Sequence, residues 1–311
     1  AGACNSIGDN NTSIGCRAGI GYTTGCANIS VGYNAGATNC GSTGSGNLSM
    51  GHYSGRTISS GQCNISIGEC AGCDLTSGGC NIAIGQNAGK KLKSSSHNIA
   101  IGQYTASFNN VTGTYNLMFG TRAGSRLTSG GSNIFLGASA GRYVTSGARN
   151  FIVGTHASYC LTTGSDNVSL GYNAGRCNSA ALDNIAIGRC AGYLNTSNNS
   201  NVSIGHSAGY YTGNTSLGEN VSIGSSSGGG YFSIAIGRNA LSNCTNTGGY
   251  NVALGFKAGC EMSTGSHNVL LGNEAGKGNT SGCNNINVGY FAGRFNNCLL
   301  YTSPSPRDKR Q

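Results

Sequence analysis

The stretch Asn81-Ile82-Ala83-Ile84-Gly85-Gln86-Asn87-Ala88-Gly89 decides the fold. Its first half alternates aliphatic and small residues with period two, the pattern of a short β-strand. Gly85 ends the strand, because glycine reaches positive φ without a steric penalty. Ala88-Gly89 marks a second bend. A polar return then closes the unit, as in Thr128-Ser129-Gly130, and reads as a second short extended piece with a turn. Helix is opposed throughout by β-branched residues and repeated glycine.

Working outward from this stretch, the same unit fills the chain. Its anchors are Asn11, Asn28, Asn47, Asn64, Asn81, Asn98, Asn116, Asn133, Asn150, Asn167, Asn184, Asn201, Asn220, Ser233, Asn251, Asn268 and Asn285. Eleven of the sixteen spacings between them are 17 residues, so one unit has a fixed length and successive units can stack. A unit with two short strands and two bends is one coil of a solenoid. The expected fold is therefore all-β: a parallel β-solenoid of about seventeen 17-residue coils spanning residues 11–297. Like residues then form ladders ~4.8 Å apart. Buried Asn28, Asn64, Asn81, Asn98, Asn133, Asn167, Asn184, Asn201, Asn251 and Asn268 are expected to pass amide hydrogen bonds from coil to coil.

Composition agrees with repetition rather than with other classes. The chain has 55 Gly in 311 residues, which is too few for collagen. Only 9% of its residues are charged, which is too few for a disordered chain. No apolar run is long enough to span a membrane. The residue between the two aliphatics of each strand is Ser or Ala in twelve of seventeen units and is never charged. A water-facing position would carry charge, so both strand faces are expected to be covered, one by the coil interior and the other by neighbouring chains. Which face looks inward is open at this level. Met118, Phe135 and Ile152 occupy the middle position in successive units and make a thicker patch.

The motif Asn-x-Ala/Ser-Ile/Val-Gly-x-x-Ala-Gly, followed by Thr-Thr/Ser-Gly, resembles the repeats of YadA-like trimeric autotransporter adhesin heads. It also resembles the repeats of phage tail-fibre-like surface proteins. The likeness covers residues 11–297, although the adhesin repeat is shorter and this chain is richer in Cys. The resemblance implies a left-handed β-roll, three chains about one axis, and attachment to a cell surface, glycan or matrix in an extracellular, cell-surface or virion setting. Residues 1–10 read as a partial repeat, so the chain is expected to be an internal fragment. Residues 298–311 break the pattern, hold both prolines, and resemble an in-frame translation of a sequencing-library adapter.

Candidate chemistry is sparse. Cys63/Cys80 and Cys160/Cys177 stand one unit apart, which places their Cα atoms within disulfide range; buried free thiols are the alternative. Cys70-Ala-Gly-Cys73 lacks the second Cys pair that a zinc site needs. Arg56, Lys90, Arg142, Arg176, Lys277 and Arg294 each follow the Ala/Ser-Gly pair and would line one edge as a polyanion stripe; a merely solvated corner fits them too. Asp166 and Asp183 would stack, the one carboxylate pair that a polysaccharide-cleaving solenoid could use. Tyr33, Tyr172 and Tyr290 could stack on sugars or shield a corner. Sequons at Asn28, Asn64 and Asn201 fall in buried strands, whereas Asn195, Asn214 and Asn279 are expected to be better glycan acceptors. Neither a cofactor nor a metal is called for, and no nucleic-acid motif is present. The leading expectation is a non-enzymatic adhesive fibre domain. An ice-binding solenoid is the chief rival, although a regular Thr ladder is missing.

Overall fold

The computed structural model describes residues 7–38, 41–194, 199–210, 218–243 and 245–295. The tail at 298–311, residues 1–6 and the sequons at Asn195 and Asn214 lie outside the described residues. The chain is all-β, a parallel β-solenoid with one three-residue strand per coil. It divides into two compact units, Ala1–Asp183 and Asn184–Gln311.

The first unit holds β1 (Thr12–Ile14), β2 (Ile29–Val31), β3 (Leu48–Met50), β4 (Ile65–Ile67), β5 (Ile82–Ile84), β6 (Ile99–Ile101), β7 (Leu117–Phe119), β8 (Ile134–Leu136), β9 (Phe151–Val153) and β10 (Val168–Leu170). Each strand pairs with the next in parallel and in register, as in Ile82↔Ile99, Ala83↔Ala100 and Ile84↔Ile101. The second unit repeats this with β11 (Ile185–Ile187), β12 (Val202–Ile204), β13 (Val221–Ile223), β14 (Ile234–Ile236), β15 (Val252–Leu254), β16 (Val269–Leu271) and β17 (Ile286–Val288).

The middle residue of each strand faces inward. Ala83, Ala100, Met118, Phe135, Ile152 and Leu270 are all almost completely buried. The patch at Met118, Phe135 and Ile152 is thus a widened stretch of interior. Ala123 and Ala140 of the Ala-Gly pairs join it, as do Ile58, Leu75, Leu92, Leu127, Val144 and Leu161 from the polar return. These returning aliphatics form a second core ladder that the repeat pattern hides, because they sit singly among Ser, Thr and Gly.

The flanking aliphatics therefore point outward. Ile29, Phe119, Phe151 and Ile236 are exposed, and most of the others are half-buried. Within one chain, only one face of each strand is covered.

The polar return is not a second strand. Three successive amides, Ser59, Ser60 and Gly61, all donate to the carbonyl of Thr76 in the next coil. One acceptor serving a fan of donors cannot produce an evenly spaced ladder, so the coils adhere there without strand geometry.

Most coils hold two or three residues other than glycine with left-handed backbone, such as Cys80 (φ 57°) and Asn87 (φ 55°). Each such residue costs about 1–2 kcal/mol relative to right-handed backbone. Inter-coil bonds hold them in place: Cys80 N–H donates to Gln62 at 2.9 Å and Asn87 N–H to Glu69 at 2.8 Å. Glycine is required after each strand. At Gly137 (φ 134°) a Cβ would stand 2.8 Å from the Gly154 carbonyl of the next coil.

Candidate functional surfaces

The anchor asparagines occupy a buried corner. Asn64 donates from its backbone N–H and from Nδ2 to Oδ1 of Asn47, both at 3.0 Å, and from Nδ2 to the Gly78 carbonyl at 2.9 Å. The same pattern recurs at Asn81, Asn133, Asn167 and Asn268. Asn98 repeats it with a longer amide contact to Asn81, and Asn28 donates to Gly44 and Asn11. Asn184 accepts from both donors of Asn201. At Asn251 the ladder passes through Ser233, whose hydroxyl takes the backbone N–H at 3.2 Å. These groups are saturated by the fold, so their role is structural.

The cysteines occupy two environments. Cys63 and Cys80 are exposed free thiols on left-handed backbone. Cys160 and Cys177 are free and half-buried, and burial together with the neighbouring Cys160 raises the Cys177 thiol above its ordinary value. Cys73 is buried beside Cys70, and burial is the main cause that pushes its pKa up to about 12. Among the described residues no three His, Cys, Asp or Glu side chains converge as a metal site.

The six basic residues do not share one environment. Glu274 pairs with Arg294 at 2.9 Å and with Lys277 at 3.6 Å, so one of the two positive charges at that end of the stripe is offset locally. Arg56 lies over the Tyr53 ring at 5.2 Å, beside an open groove of about 630 Å³ that also includes Arg17, Tyr33 and Asn34. Lys90 lies near Cys73, where its charge favours the thiolate. Arg142 and Arg176 flank the Tyr159 ring at 5.6 and 5.5 Å. Burial, followed by the charges of Arg176 and Arg142, pushes the pKa of His156 down.

Of the two candidate acids, Asp166 is ion-paired. Asp166 accepts from Nε and Nη2 of Arg149, both at 2.7 Å, and these bonds hold its carboxyl below the usual range. Retaining glycoside cleavage needs a protonated acid beside a carboxylate, and Asp166 suits only the carboxylate of such a pair.

The expectation for Asn279 is corrected. The residue is fully buried and accepts from the Gly282 N–H at 2.8 Å, so its side chain is closed to glycosylation. Tyr33 and Tyr172 are exposed but lie against His52 and His156. Tyr290 packs on Phe291 at 3.9 Å. Along the polar return, the hydroxyls of Thr128, Thr145 and Thr162 donate to carbonyls of the next coil. No described helix is long and apolar enough to cross a membrane. No protein-family model matches the chain, and no curated protein matches it significantly.

Proposed function

We propose that the chain is a structural and adhesive repeat domain: the shaft or head of an extracellular or virion surface fibre, assembled from three copies and attaching multivalently to a cell-surface glycan or matrix. One observation carries the reading. Of the outward strand positions, every one is aliphatic, Met or Phe except Thr12. In the first unit alone, ten coils would make a strip ~45 Å long. An uncharged strip on the order of 500 Å² sits at the top of what monomeric surfaces expose. The partner that fits is another copy of the chain, because its strands carry the same aliphatics at the same spacing.

Weak contacts repeated coil after coil then favour attachment through avidity. The ice-binding alternative needs a free, regular hydroxyl array, whereas Thr128, Thr145 and Thr162 spend their hydroxyls on inter-coil bonds. The cleavage alternative would have to find its proton donor elsewhere, because Asp166 is ion-paired.

Analytical ultracentrifugation of the full chain tests assembly. A stable species of three chains is expected at micromolar concentration. A well-folded monomer would overturn the reading.

A further inference from the structure

We infer that Arg126, Arg142 and Arg176 form an anion-binding ladder for a sulfated polysaccharide, braced by Tyr143 and Tyr159. This rests on the attachment reading for its biological use and narrows the ligand class of that surface.

The construction follows from the coil. Arg142, Tyr159 and Arg176 stand 17 residues apart, as do Arg126 and Tyr143, so each set stacks in successive coils of the first unit. The side chains interleave. Arg126 lies 4.4 Å from the centre of the Tyr143 ring, and Arg142 lies 5.5 Å from the same centre. Arg142 also lies over Tyr159 at 5.6 Å and donates from Nη1 to its hydroxyl at 2.9 Å. Arg176 lies over Tyr159 at 5.5 Å. The two tyrosine rings meet edge-on at 5.0 Å. Three guanidiniums thus make cation–π contacts with two tyrosine rings.

The charges of Arg126 and Arg142 are not offset by an ion pair. Among the described residues, no carboxylate is within ion-pair distance of Arg126 or Arg142, in contrast to Lys277 and Arg294 on Glu274. Arg126 is exposed, whereas Arg142 and Arg176 are half-buried with their Nε atoms enclosed, so contact with a ligand there falls to the Nη groups. Bringing like charges together is unfavourable unless an anion joins them.

The chemistry selects the ligand. A planar guanidinium grips an oxyanion with two parallel N–H donors. Coil spacing spreads the three over ~14 Å, which calls for a chain of anions rather than a single ion. The tyrosine faces lie under guanidiniums, so they offer no platform on which nucleic-acid bases could stack. Repeated sulfate esters on a polysaccharide meet these conditions without needing stacking.

Calorimetric titration of the full chain with dextran sulfate tests the site, with neutral dextran and single-stranded DNA as comparison arms. Dextran sulfate is expected to bind and neutral dextran not to. The triple variant Arg126→Gln/Arg142→Gln/Arg176→Gln is expected to bind at least about tenfold more weakly and with a shallower salt dependence. The variant Arg56→Gln/Lys90→Gln/Lys277→Gln should stay within about twofold of the parent. Should the first triple variant misfold, Arg126→Gln alone, at an exposed position, is expected to lose about threefold. Absent binding by the parent, or equal loss in both triple variants, overturns the site. DNA binding as tight as dextran sulfate, lost in the same variant, overturns the polysaccharide assignment. A three-chain assembly that ignores dextran sulfate would lose this site and keep the fibre reading, while a monomer that binds it would do the reverse.

Discussion

At the scale of single residues, the anchor shows how a buried polar group can hold a fold together. Where Asn follows Asn, as at Asn116 and Asn133, the Oδ1 accepts two bonds from the next coil, so losing one side chain strands its neighbour as well. Asn133→Ala would remove two donated bonds and leave both donors of Asn150 without their acceptor. At about 1–3 kcal/mol per unsatisfied buried group, a loss of at least ~3 kcal/mol is expected in denaturant unfolding. The chain contains its own converse. Ser233 accepts only the backbone N–H of Asn251, whose amide keeps the Gly265 carbonyl alone. Ser233→Asn is expected to stabilise by about 1 kcal/mol, the ordinary value of one added hydrogen bond. An unchanged or lowered unfolding midpoint would show that the short preceding coil has no room for the amide.

Cys73 supplies a pH signature at the same scale. Its pKa is raised from 9.0 to about 12, mainly by burial. The unfolded thiol releases its proton first, so between about pH 9 and pH 12 the unfolded state binds fewer protons. Stability should therefore be intact below pH 9 and fall through that window. Thermal melts of Cys73→Ala are expected to show a shallower fall than the parent. Identical profiles would mean that Cys73 does not contribute.

At the scale of the coil, the strand and its terminal glycine are legible directly, because period two and Gly at a fixed offset leave little else. The inward face is not legible. Ser and Ala look like surface residues, yet Ser66 and Ala83 line the interior while Ile65 and Ile82 face out. Size explains the inversion, since a narrow coil admits small residues and leaves the aliphatics facing outward. The polar return misleads for a related reason. Its extended composition suggests a strand, but a carbonyl shared by three amides gives no ladder. The Arg–Tyr ladder was half visible: Arg142 and Arg176 stand out after Ala/Ser-Gly, whereas Arg126 and Tyr143 are recognised only through the 17-residue spacing.

The same spacing makes a test of coil stacking. Cys160 lies in the coil next to Cys177 and close enough to contribute to the raised pKa of the Cys177 thiol. Expression under oxidising conditions followed by peptide mass mapping is expected to recover a Cys160–Cys177 peptide. Exposed Cys63 and Cys80 should link in the same way, or be alkylated by iodoacetamide when reduced, while buried Cys73 resists. Finding all four unlinked after oxidation would contradict cross-coil pairing.

At the scale of the whole molecule, the decisive quantity is the outward strand face. Within each unit the coil interior needs only one face of each strand, so selection for folding alone leaves the other face free to carry charge. It carries none. Charged residues in an exposed strip would solubilise a single chain at almost no cost, and their absence is explained if the strip is buried on assembly. Phe119 is 53% exposed in β7 and lies outside the interior, so Phe119→Lys/Leu136→Lys changes the strip without disturbing the coil core. Burying an unpaired ammonium at an interface costs several kcal/mol, enough to shift association by more than tenfold. Sedimentation is therefore expected to show the double variant as a folded monomer at concentrations where the parent is three-chained. Ser129→Lys, at an exposed position on the polar return, is expected to leave the assembly intact. If both variants sediment like the parent, the strip is not the interface.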